Sequence, residues 1–381
     1  MKKVLIFMDY FKPAYKAGGP ITTILNLVNR LGDEFEFYIV CRNNDIEVNN
    51  KFNDIIPNIW VDKNKFKIMY VSPERRNIRF VISLLKKHSY DMVYLNSFFS
   101  FKFSIQIMWV IRCIKNNGTK IILAPRGEFA RNALEIKKMK KKIYIKVAKI
   151  FNIYRNITWQ ASSKYEAIDI KKIFPKANVK IAPDLTPLPT YMPQKVYEIK
   201  DTLKLIFISR ISPMKNLDYL LQILHEMHIP ISLDIYGPID KKKDNEYWSE
   251  CKALIEQLPT NVKVRYLGSL EADKVVETIA QYDFMILLTR GENFGHVIIE
   301  SLYAGTPVII SNNTPWRGLS NYNVGWDICL EQPKVIKEIL NDCYKMSKER
   351  YVSMSLDAHK YASKHMEDSH ILQSNRDLFS V

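Results

Sequence analysis

Short runs of apolar residues alternate with amphipathic stretches along most of the chain. The runs are rich in Val, Ile, Leu and Phe, which is typical of strands buried on both faces of a parallel sheet. Between them, apolar residues recur at helical spacing, as at Ile21, Ile24, Leu25 and Val28. This alternation predicts βα units and parallel, doubly wound sheets. Strands are predicted at 4–8, 35–41, 68–71, 92–95, 120–124, 157–161, 179–181, 203–209, 232–236, 263–267, 284–288 and 307–310.

Length and composition favour a folded protein with two domains. The chain has 381 residues, of which 47% are hydrophobic, enough for more than one core. Four prolines between residues 182 and 193 mark the best linker. The five cysteines have no CxxC spacing and are expected to be reduced thiols in a cytoplasmic protein. The first apolar run is too short for the core of a signal peptide and is interpreted as a strand.

One stretch joins a predicted strand to a helix through a glycine-containing loop. The strand is 284–288, and residues 297–304 carry apolar side chains at helical spacing. The loop therefore lies at the carboxyl end of a parallel strand, where open α/β sheets bind ligands. Gly295 lets the backbone approach a ligand, and the amides at the helix start can face a phosphate. Glu292 and Glu300 can accept hydrogen bonds from hydroxyls on different parts of one elongated ligand, such as a sugar and a ribose.

These two acids lie within the sequence GENFGHVIIESLYAGTPVI. In this context they resemble the E-x7-E signature of retaining glycosyltransferases of the GT-B fold, the group 1 or family 4-like enzymes that use nucleotide sugars. The resemblance implies that Glu292 binds the transferred sugar and that Glu300 binds the ribose of the nucleotide. The alternative is a pair of solvated acids beside a surface helix.

The same resemblance implies the architecture of the chain. We expect an α/β fold with two Rossmann-like domains, each with a doubly wound parallel sheet, facing each other across a cleft. The N-terminal domain would bind the acceptor and the C-terminal domain the donor. The expected bounds are 1–185 for the first domain, 186–200 for the linker, 201–356 for the second domain, and 357–381 for a helix that returns to the first.

Two further motifs carry groups suited to a diphosphate. Arg210 and Lys215 are five residues apart around a turn after the predicted strand 203–209. They can converge on one anion, because arginine offers a fork of donors and lysine a point charge. In the family an arginine and a lysine at this place hold the donor's pyrophosphate; the alternative is two surface cations. Gly18 and Gly19 are either a flexible turn or, as the family implies, a loop that faces the donor's distal phosphate and sugar.

The resemblance thus assigns a set of residues to the donor. Catalytic roles are expected for Glu292, Arg210 and Lys215, and donor binding for Gly18, Gly19, Arg210, Lys215, Gly237, Asn293, Phe294, Gly295, His296 and Glu300. No Asp-x-Asp motif stands out as a metal site. We therefore expect side-chain cations and helix amides to stabilise the leaving diphosphate, without a metal or other cofactor.

Loops of the N-terminal half supply candidate contacts to the acceptor. Asn96 and Ser97 follow the predicted strand 92–95, in a loop where many family members carry a histidine. Asparagine cannot take a proton at neutral pH but can orient a hydroxyl; the alternative is the polar end of a strand. The Pro-Arg-Gly segment at Arg126 resembles a stretch common in transferases that build bacterial surface polysaccharides. That likeness implies a contact from Arg126 to the acceptor or to its pyrophosphate.

The net charge of +16 is concentrated in the first half. Residues 1–200 hold 36 basic and 16 acidic residues, and residues 201–381 hold 20 and 24. Such asymmetry suggests an anionic partner. Within 131–149, many lysines accompany apolar residues at helical spacing, which indicates a basic amphipathic helix. This helix either lies on an anionic membrane or is an ordinary helix of the domain with its lysines exposed to solvent. The apolar residues counted toward this helix are Ile136, Met139, Ile143, Tyr144 and Val147.

Together these features favour a retaining glycosyltransferase. It would transfer a sugar from a nucleoside diphosphate, by family frequency UDP, to a hydroxyl of a glycan or lipid-pyrophosphate-linked acceptor in surface polysaccharide biosynthesis. An anionic membrane surface, at the inner face of the cell membrane, is an expected further partner. One alternative is a nucleotide-sugar 2-epimerase of the same fold, although only His296 of the seven histidines lies in a motif. Another is a basic protein without enzymatic activity that binds a membrane or nucleic acid, although no nucleic-acid motif is visible.

Overall fold

The computed structural model describes residues 1–14, 18–45, 52, 55–114, 118–135, 137–188, 201–240 and 244–380. The chain divides into two compact units. The N-terminal unit consists of Met1–Pro187 with Ser369–Val381, and the C-terminal unit of Leu188–Asp368. Residues 189–200, most of the predicted linker, lie outside the described residues. Within the described ranges, no helix is long and apolar enough to cross a membrane.

The N-terminal unit is built on a sheet with the strand order β3-β4-β2-β1-β5-β6-β7-β8. The described strands are β1 (Lys2–Phe7), β2 (Phe35–Arg42), β3 (Trp60–Asp62), β4 (Phe66–Val71), β5 (Met92–Leu95), β6 (Lys120–Leu123), β7 (Thr158–Ala161) and β8 (Asn178–Ile181). The strands from β4 to β8 along this order pair in parallel. One edge departs from the predicted parallel order, because β3 pairs antiparallel with β4. Asn64 has a left-handed backbone with φ 65°, and its amide donates to Asp62, so the chain reverses in a tight turn.

Alternate residues of β1 enter two separate cores. Leu5 and Phe7 lie in one core and Val4 and Ile6 in the other. Successive side chains of a strand point to opposite faces, so both faces of this sheet are covered, which explains the unbroken apolar run in the sequence. The helices in this part of the unit are α1 (Gly19–Leu31), α2 (Ile78–Lys87), α3 (Gln106–Cys113), α4 (Arg131–Glu135), α5 (Lys138–Ile150) and α6 (Lys164–Ile173).

The C-terminal unit has a parallel sheet with the order β11-β10-β9-β12-β13-β14. Its described strands are β9 (Leu203–Ile208), β10 (Ile231–Tyr236), β11 (Val262–Tyr266), β12 (Phe284–Leu287), β13 (Val308–Ser311) and β14 (Gly325–Ile328). Its helices are α7 (Leu217–His225), α8 (Asn245–Glu256), α9 (Val275–Ile279), α10 (His296–Tyr303), α11 (Pro333–Tyr344) and α12 (Lys348–Met366). The chain leaves β9 toward β10 on one side, and β12 lies on the other. The loops after β9 and β12 therefore adjoin at the switch point where such sheets bind ligands.

Two predicted helices are each divided in the structure. The basic helix 131–149 is α4 and α5, separated at Lys137, whose backbone is left-handed with φ 54°; Ile136 lies outside the described residues. The ammonium group of Lys141 donates to the carbonyl of Ala133 at 2.7 Å, so a carbonyl freed at this break is satisfied. The predicted C-terminal helix from residue 357 is the second half of α12 followed by α13 (Ser369–Ser380). Asp and Ser, which favour helix starts, stand at this break.

The last helix, α13, packs within the core of the N-terminal unit. Phe379 is fully buried, and its ring centroid lies 5.6 Å from that of Phe35, 5.9 Å from Phe37 and 5.5 Å from Tyr94. Asn375 donates to the carbonyl of Pro183 at 2.7 Å. The end of the chain is thereby part of the same unit as its beginning.

Candidate functional site

Two of the predicted catalytic residues, Lys215 and Glu292, meet in the C-terminal unit. The Nζ atom of Lys215 donates to the Glu292 carboxylate, although 77 residues separate them in the sequence. Their side chains are 12% and 18% exposed, so the pair is partly shielded from water but still accessible. Each group neutralises the other when no ligand is bound. Groups suited to a phosphate and to a sugar hydroxyl thus lie side by side at the carboxyl ends of the sheet.

Hydrogen bonds between the loops after β9 and β12 hold this pair in place. The carbonyl of Met214 accepts from the amide of Arg290 at 2.9 Å and from the hydroxyl of Thr289 at 3.0 Å. On the other side, the amide of Glu292 donates to the carbonyl of Asn313 at 3.0 Å. Two neighbouring loops, after β9 and after β13, therefore hold the loop on which Glu292 stands.

Asn216 is a further organiser of these loops that the sequence analysis did not assign. Its backbone is left-handed, with φ 61°, a conformation that asparagine tolerates better than most residues. The side chain is buried, donates to the carbonyl of Leu288 at 2.9 Å and accepts from Nε of Arg290 at 2.7 Å. The signal in the sequence is an asparagine directly before a helix, which is weak evidence by itself.

The start of α10 favours a glycine. Gly295 has φ 82°, and a Cβ atom there would lie 2.7 Å from Cδ1 of Ile298 and 3.1 Å from Cγ of Glu292. The positive φ favours glycine here, and any larger residue would also have to displace the side chains of Ile298 and Glu292. The amide of Ile298 donates to the carbonyl of Gly295 at 2.9 Å and closes the first turn of α10. The positive end of the helix dipole lies at this turn and favours an anion.

Glu300 lies in the second turn of α10 and is half-buried. Burial raises the pKa of its carboxyl group to about 7, because water that would stabilise the charge is largely excluded. Among the described residues, none donates a hydrogen bond to this carboxylate. The Glu300 carboxylate can therefore accept hydrogen bonds from the hydroxyl groups of a ligand.

The remaining predicted residues of this loop form an aromatic layer. Phe294 is buried, and its ring centroid lies 4.8 Å from that of His296 and 5.5 Å from that of Trp316. The indole N–H of Trp316 donates to the Phe294 carbonyl at 2.5 Å. Phe294 and His296 therefore support the loop by packing. Asn293, the residue after Glu292, is half-buried.

Arg210 and Gly237 lie at the carboxyl ends of β9 and β10. Arg210 is exposed, and in the described part of the chain its guanidinium has no ion pair. The backbone of Gly237 passes so close to Ser209 that a Cβ atom would lie 1.7 Å from its carbonyl oxygen. The Gly237 amide donates to the carbonyl of Gly268 at 2.8 Å. The glycine is therefore needed for close packing of the loop beside Arg210.

In the N-terminal unit, only the first of the two predicted glycines lies outside a helix. Gly18 has φ 66° and precedes α1, whereas Gly19 is the first residue of that helix. A Cβ atom on Gly18 would meet nothing within 4 Å. Glycine is therefore favoured here by the positive φ angle and not by lack of space for a side chain. Ala17, which precedes them in the predicted loop, lies outside the described residues.

Arg126 is buried, and its donors face the inside of the N-terminal unit. Its guanidinium donates to Asp184 at 2.6 Å, to the hydroxyl of Tyr94 at 2.6 Å and to the amide oxygen of Asn96 at 2.8 and 3.2 Å. The hydroxyl of Thr23 also donates to Asp184, at 2.8 Å. These contacts occupy four of the five N–H groups of an arginine. The predicted contact between Arg126 and an acceptor stays a prediction, and its observed contacts hold loops together.

Glu128 shapes the loop that carries Asn96 and Ser97. Its carboxylate accepts from the Ser97 hydroxyl at 2.8 Å and from the amides of Phe98 and Phe99 at 2.6 and 3.1 Å. Burial raises the pKa of this carboxyl group, and these hydrogen bonds oppose that rise. The sequence analysis missed Glu128 and Asp184 as partners of the predicted residues. Their position at predicted strand ends was a visible signal, but their partners are far away in the sequence.

No cluster of three or more His, Cys, Asp or Glu side chains that could hold a metal ion occurs among the described residues.

Comparison with known proteins connects this geometry to a family. Residues 192–355, less than half of the chain, match the family model described as "Glycosyl transferases group 1". The chain is 23% identical over 242 residues to an uncharacterized 41.2 kDa protein in the cps region of Klebsiella pneumoniae, covering 61% of this chain and 63% of that protein. It is 24% identical over 193 residues to an uncharacterized glycosyltransferase of Sulfolobus islandicus rod-shaped virus 1, covering 48% and 56%. These matches span less than two thirds of either relative.

Solved structures with a similar fold cover nearly the whole chain. Anabaena HepE in complex with UDP and glucose has a TM-score of 0.71 at 14% identity, covering 99% of this chain and 98% of that one. Sucrose-phosphate synthase from Thermosynechococcus elongatus has a TM-score of 0.74 at 15% identity, covering 100% of both chains. Trehalose-6-phosphate synthase from E. coli, bound with UDP-2-fluoro glucose, has a TM-score of 0.68 at 11% identity, covering 100% and 99%. The predicted fold is confirmed: two parallel-sheet α/β units of the GT-B type.

Proposed function

We propose that this protein is a retaining glycosyltransferase that uses a UDP-sugar. The observation that carries the proposal is the Lys215–Glu292 pair beside the start of α10, at the switch point of the C-terminal sheet. The match of residues 192–355 to group 1 glycosyltransferases supports it. So does the fold shared with HepE, whose structure contains UDP and glucose.

In the proposed mechanism, the donor exchanges partners with the resting ion pair. A sugar hydroxyl donates to Glu292, and Lys215 turns from that carboxylate to the diphosphate. Arg210, exposed beside Gly237, supplies a second cation, and the amides of the first turn of α10 supply dipoles. These groups stabilise the negative charge that develops on the leaving diphosphate, so the reaction is proposed to need no metal.

Glu300 is proposed to bind the ribose of the donor. Its half-buried carboxylate accepts hydrogen bonds from the two ribose hydroxyls and thereby becomes ionised. Retention of configuration is proposed to follow from attack on the same face of the sugar, with the leaving phosphate accepting the proton of the incoming hydroxyl. The transition state has oxocarbenium character, as in other glycosyl transfers.

The acceptor is proposed to be a glycan or a lipid-pyrophosphate-linked oligosaccharide in the biosynthesis of a surface polysaccharide, handled in the cytoplasm. Asn96, Ser97 and Arg126 lie at the carboxyl ends of β5 and β6, the edge of a parallel sheet that binds ligands. The relative encoded in a cps region is consistent with such a pathway.

The first test is the thermal shift of the purified protein with UDP-, GDP-, ADP- and TDP-sugars, in the presence of EDTA. A ligand at a hundred times its Kd stabilises by about 2.7 kcal/mol, which for a unit of this size raises Tm by about 5 to 10 °C. We expect UDP-sugars to give this shift and Glu300→Ala to abolish it. Glu256→Ala, at the exposed end of α8, is the matched control and should keep the shift.

Transfer is then measured by NMR on synthetic lipid-pyrophosphate-linked sugars. The proposal requires a product with the same anomeric configuration as the donor. An inverted product would contradict retention, and conversion of the UDP-sugar to its 2-epimer without an acceptor would identify an epimerase instead. Loss of all nucleotide binding in EDTA, restored by Mg²⁺, would contradict metal independence.

A further inference from the structure

Helix α5 has two apolar faces. The inner face packs on the N-terminal unit: the ring centroid of Tyr144 lies 5.3 Å from that of Phe98, and its hydroxyl lies 2.6 Å from that of Tyr154. Ala148, one turn further on, is buried. The single apolar stripe expected from the sequence is therefore divided, because Tyr144 faces inward whereas Met139 and Ile143 do not.

The outer face is a stripe of exposed aliphatic side chains. Met139, Ile143 and Ile150 are 70%, 59% and 67% exposed. At about 100° per residue, they fall within roughly 40° of one another around the helix axis, whereas Tyr144 and Ala148 lie about 100° to 180° away from them. Such an aligned exposed stripe is unlike the scattered apolar residues of an ordinary protein surface.

The stripe continues beyond the end of α5. Phe151, the next residue, is 66% exposed. Its ring centroid lies 6.2 Å from that of Trp109 on α3, which is 39% exposed. Aromatic side chains are favoured where an apolar region meets water, as at the level of lipid headgroups.

Lysines surround this stripe. Residues 137–151 contain seven lysines and no acidic residue. Lys138 pairs with Glu135 at 2.7 Å, and Lys141 turns inward, with its Nζ 4.9 Å from the ring centroid of Phe99. Lys140, Lys142 and Lys146 are exposed, and in the part of the chain that the structure describes the one acidic side chain shown to interact with them is Glu135, through the charge of Lys142. Lys146 lies at the edge of the stripe, about 20° from Met139 around the helix axis.

We propose that α5 with Phe151 and Trp109 docks on an anionic lipid bilayer. The aliphatic stripe enters the boundary between headgroups and acyl chains, and the flanking lysines contact anionic headgroups. Charge decides between occupants, because a second copy of this face would bring lysines against lysines, whereas an anionic surface neutralises them. This inference is independent of the proposed glycosyl transfer, since it rests on a surface of the N-terminal unit alone.

The test is co-sedimentation of the full-length protein with vesicles. One set contains phosphatidylcholine with about a third phosphatidylglycerol, and the other phosphatidylcholine alone. We expect the protein to bind the anionic set at least about tenfold more tightly. The triple variant Met139→Ser, Ile143→Ser, Ile150→Ser should lose about tenfold or more, because its stripe is polar. Neutralising Lys142 and Lys146 with glutamine should reduce binding about fivefold per lysine at low salt.

The matched control is Leu356→Ser on α12, which removes an aliphatic side chain that is 45% exposed on the C-terminal unit. It should bind vesicles as the parent protein does. Unchanged circular dichroism and an unchanged Tm show that each variant is folded. Equal binding to both vesicle sets, or undiminished binding by the triple variant, would overturn the proposal. So would a dimer in light scattering that the triple variant converts to a monomer, because the stripe would then be an interface between copies.

Discussion

Replacing Glu300 with glutamine is expected to stabilise the C-terminal unit, and more so as the pH rises. In the folded protein, burial raises the pKa of this carboxyl group from 4.5 to about 7. The unfolded chain has the ordinary value. Between these two values the folded state keeps a proton that the unfolded state releases, so the contribution of Glu300 to stability falls as the pH rises. Below 4.5 both states are protonated and Glu300 contributes no pH dependence.

The magnitude follows from the difference between the two pKa values. Each pKa unit corresponds to about 1.4 kcal/mol, so ionised Glu300 costs the folded state about 3 kcal/mol at pH 8. At pH 5 the cost is below about 1 kcal/mol, because the folded state is still protonated. The advantage of glutamine should therefore grow by about 2 kcal/mol between pH 5 and pH 8. For a unit of about 180 residues this corresponds to a change of about 4 to 8 °C in the difference between the two Tm values.

Differential scanning calorimetry of both proteins at pH 5 and pH 8 measures this quantity. Any cost of burying the glutamine amide is the same at both pH values and cancels in the comparison. Glu226→Gln is a control of opposite sign, because the hydrogen bond from Lys337 lowers the pKa of the exposed Glu226 carboxyl group. It should leave the stability at pH 8 unchanged or reduce it. A Glu300→Gln advantage that is equal at pH 5 and pH 8, or smaller at pH 8, would refute the reasoning.

Three further predictions concern both units. Donor affinity, measured by calorimetric titration, should be about tenfold weaker at pH 6 than at pH 8, because ribose hydroxyls favour ionised Glu300; a flat profile in the native protein would argue against that contact. Arg126→Met should destabilise the N-terminal unit by about 3 to 5 kcal/mol in urea unfolding, since it leaves Asp184 buried without its cation; a cost below 1 kcal/mol would contradict this. Gly237→Ala should lower Tm, because its methyl group meets the Ser209 carbonyl, whereas Gly18→Ala, which meets open space, should cost less.

The division of the chain into strands and helices could be predicted from its sequence. A short apolar run flanked by helical stretches indicates a strand buried on both faces of a parallel sheet. The strands β1, β9 and β12 begin and end within one or two residues of their predicted bounds. The edge strand β3 was not predicted. It has three residues and forms because a tight turn at Asn64 brings it against β4, so it carries no periodicity of its own.

The candidate donor site was predictable as far as its chemistry is local. A loop with Gly295 between a buried strand and a helix, and two cations around the turn after β9, are patterns within short segments. The contact between residues of these two segments could not be predicted from the sequence. Lys215 pairs with Glu292 across 77 residues because the strand order places β9 beside β12.

The sequence by itself determined the periodicity, the strand-end loops and the residue types in them, because these depend on neighbours along the chain. Tertiary structure alone decided what each side chain faces. It turned Arg126 inward to Asp184 and left Glu300 half-buried without a donor in the described residues. It also divided the apolar residues of α5 between a core and an exposed stripe. The physical reason is that helical spacing defines an angle around an axis, whereas packing of distant segments decides which angle meets protein and which meets solvent.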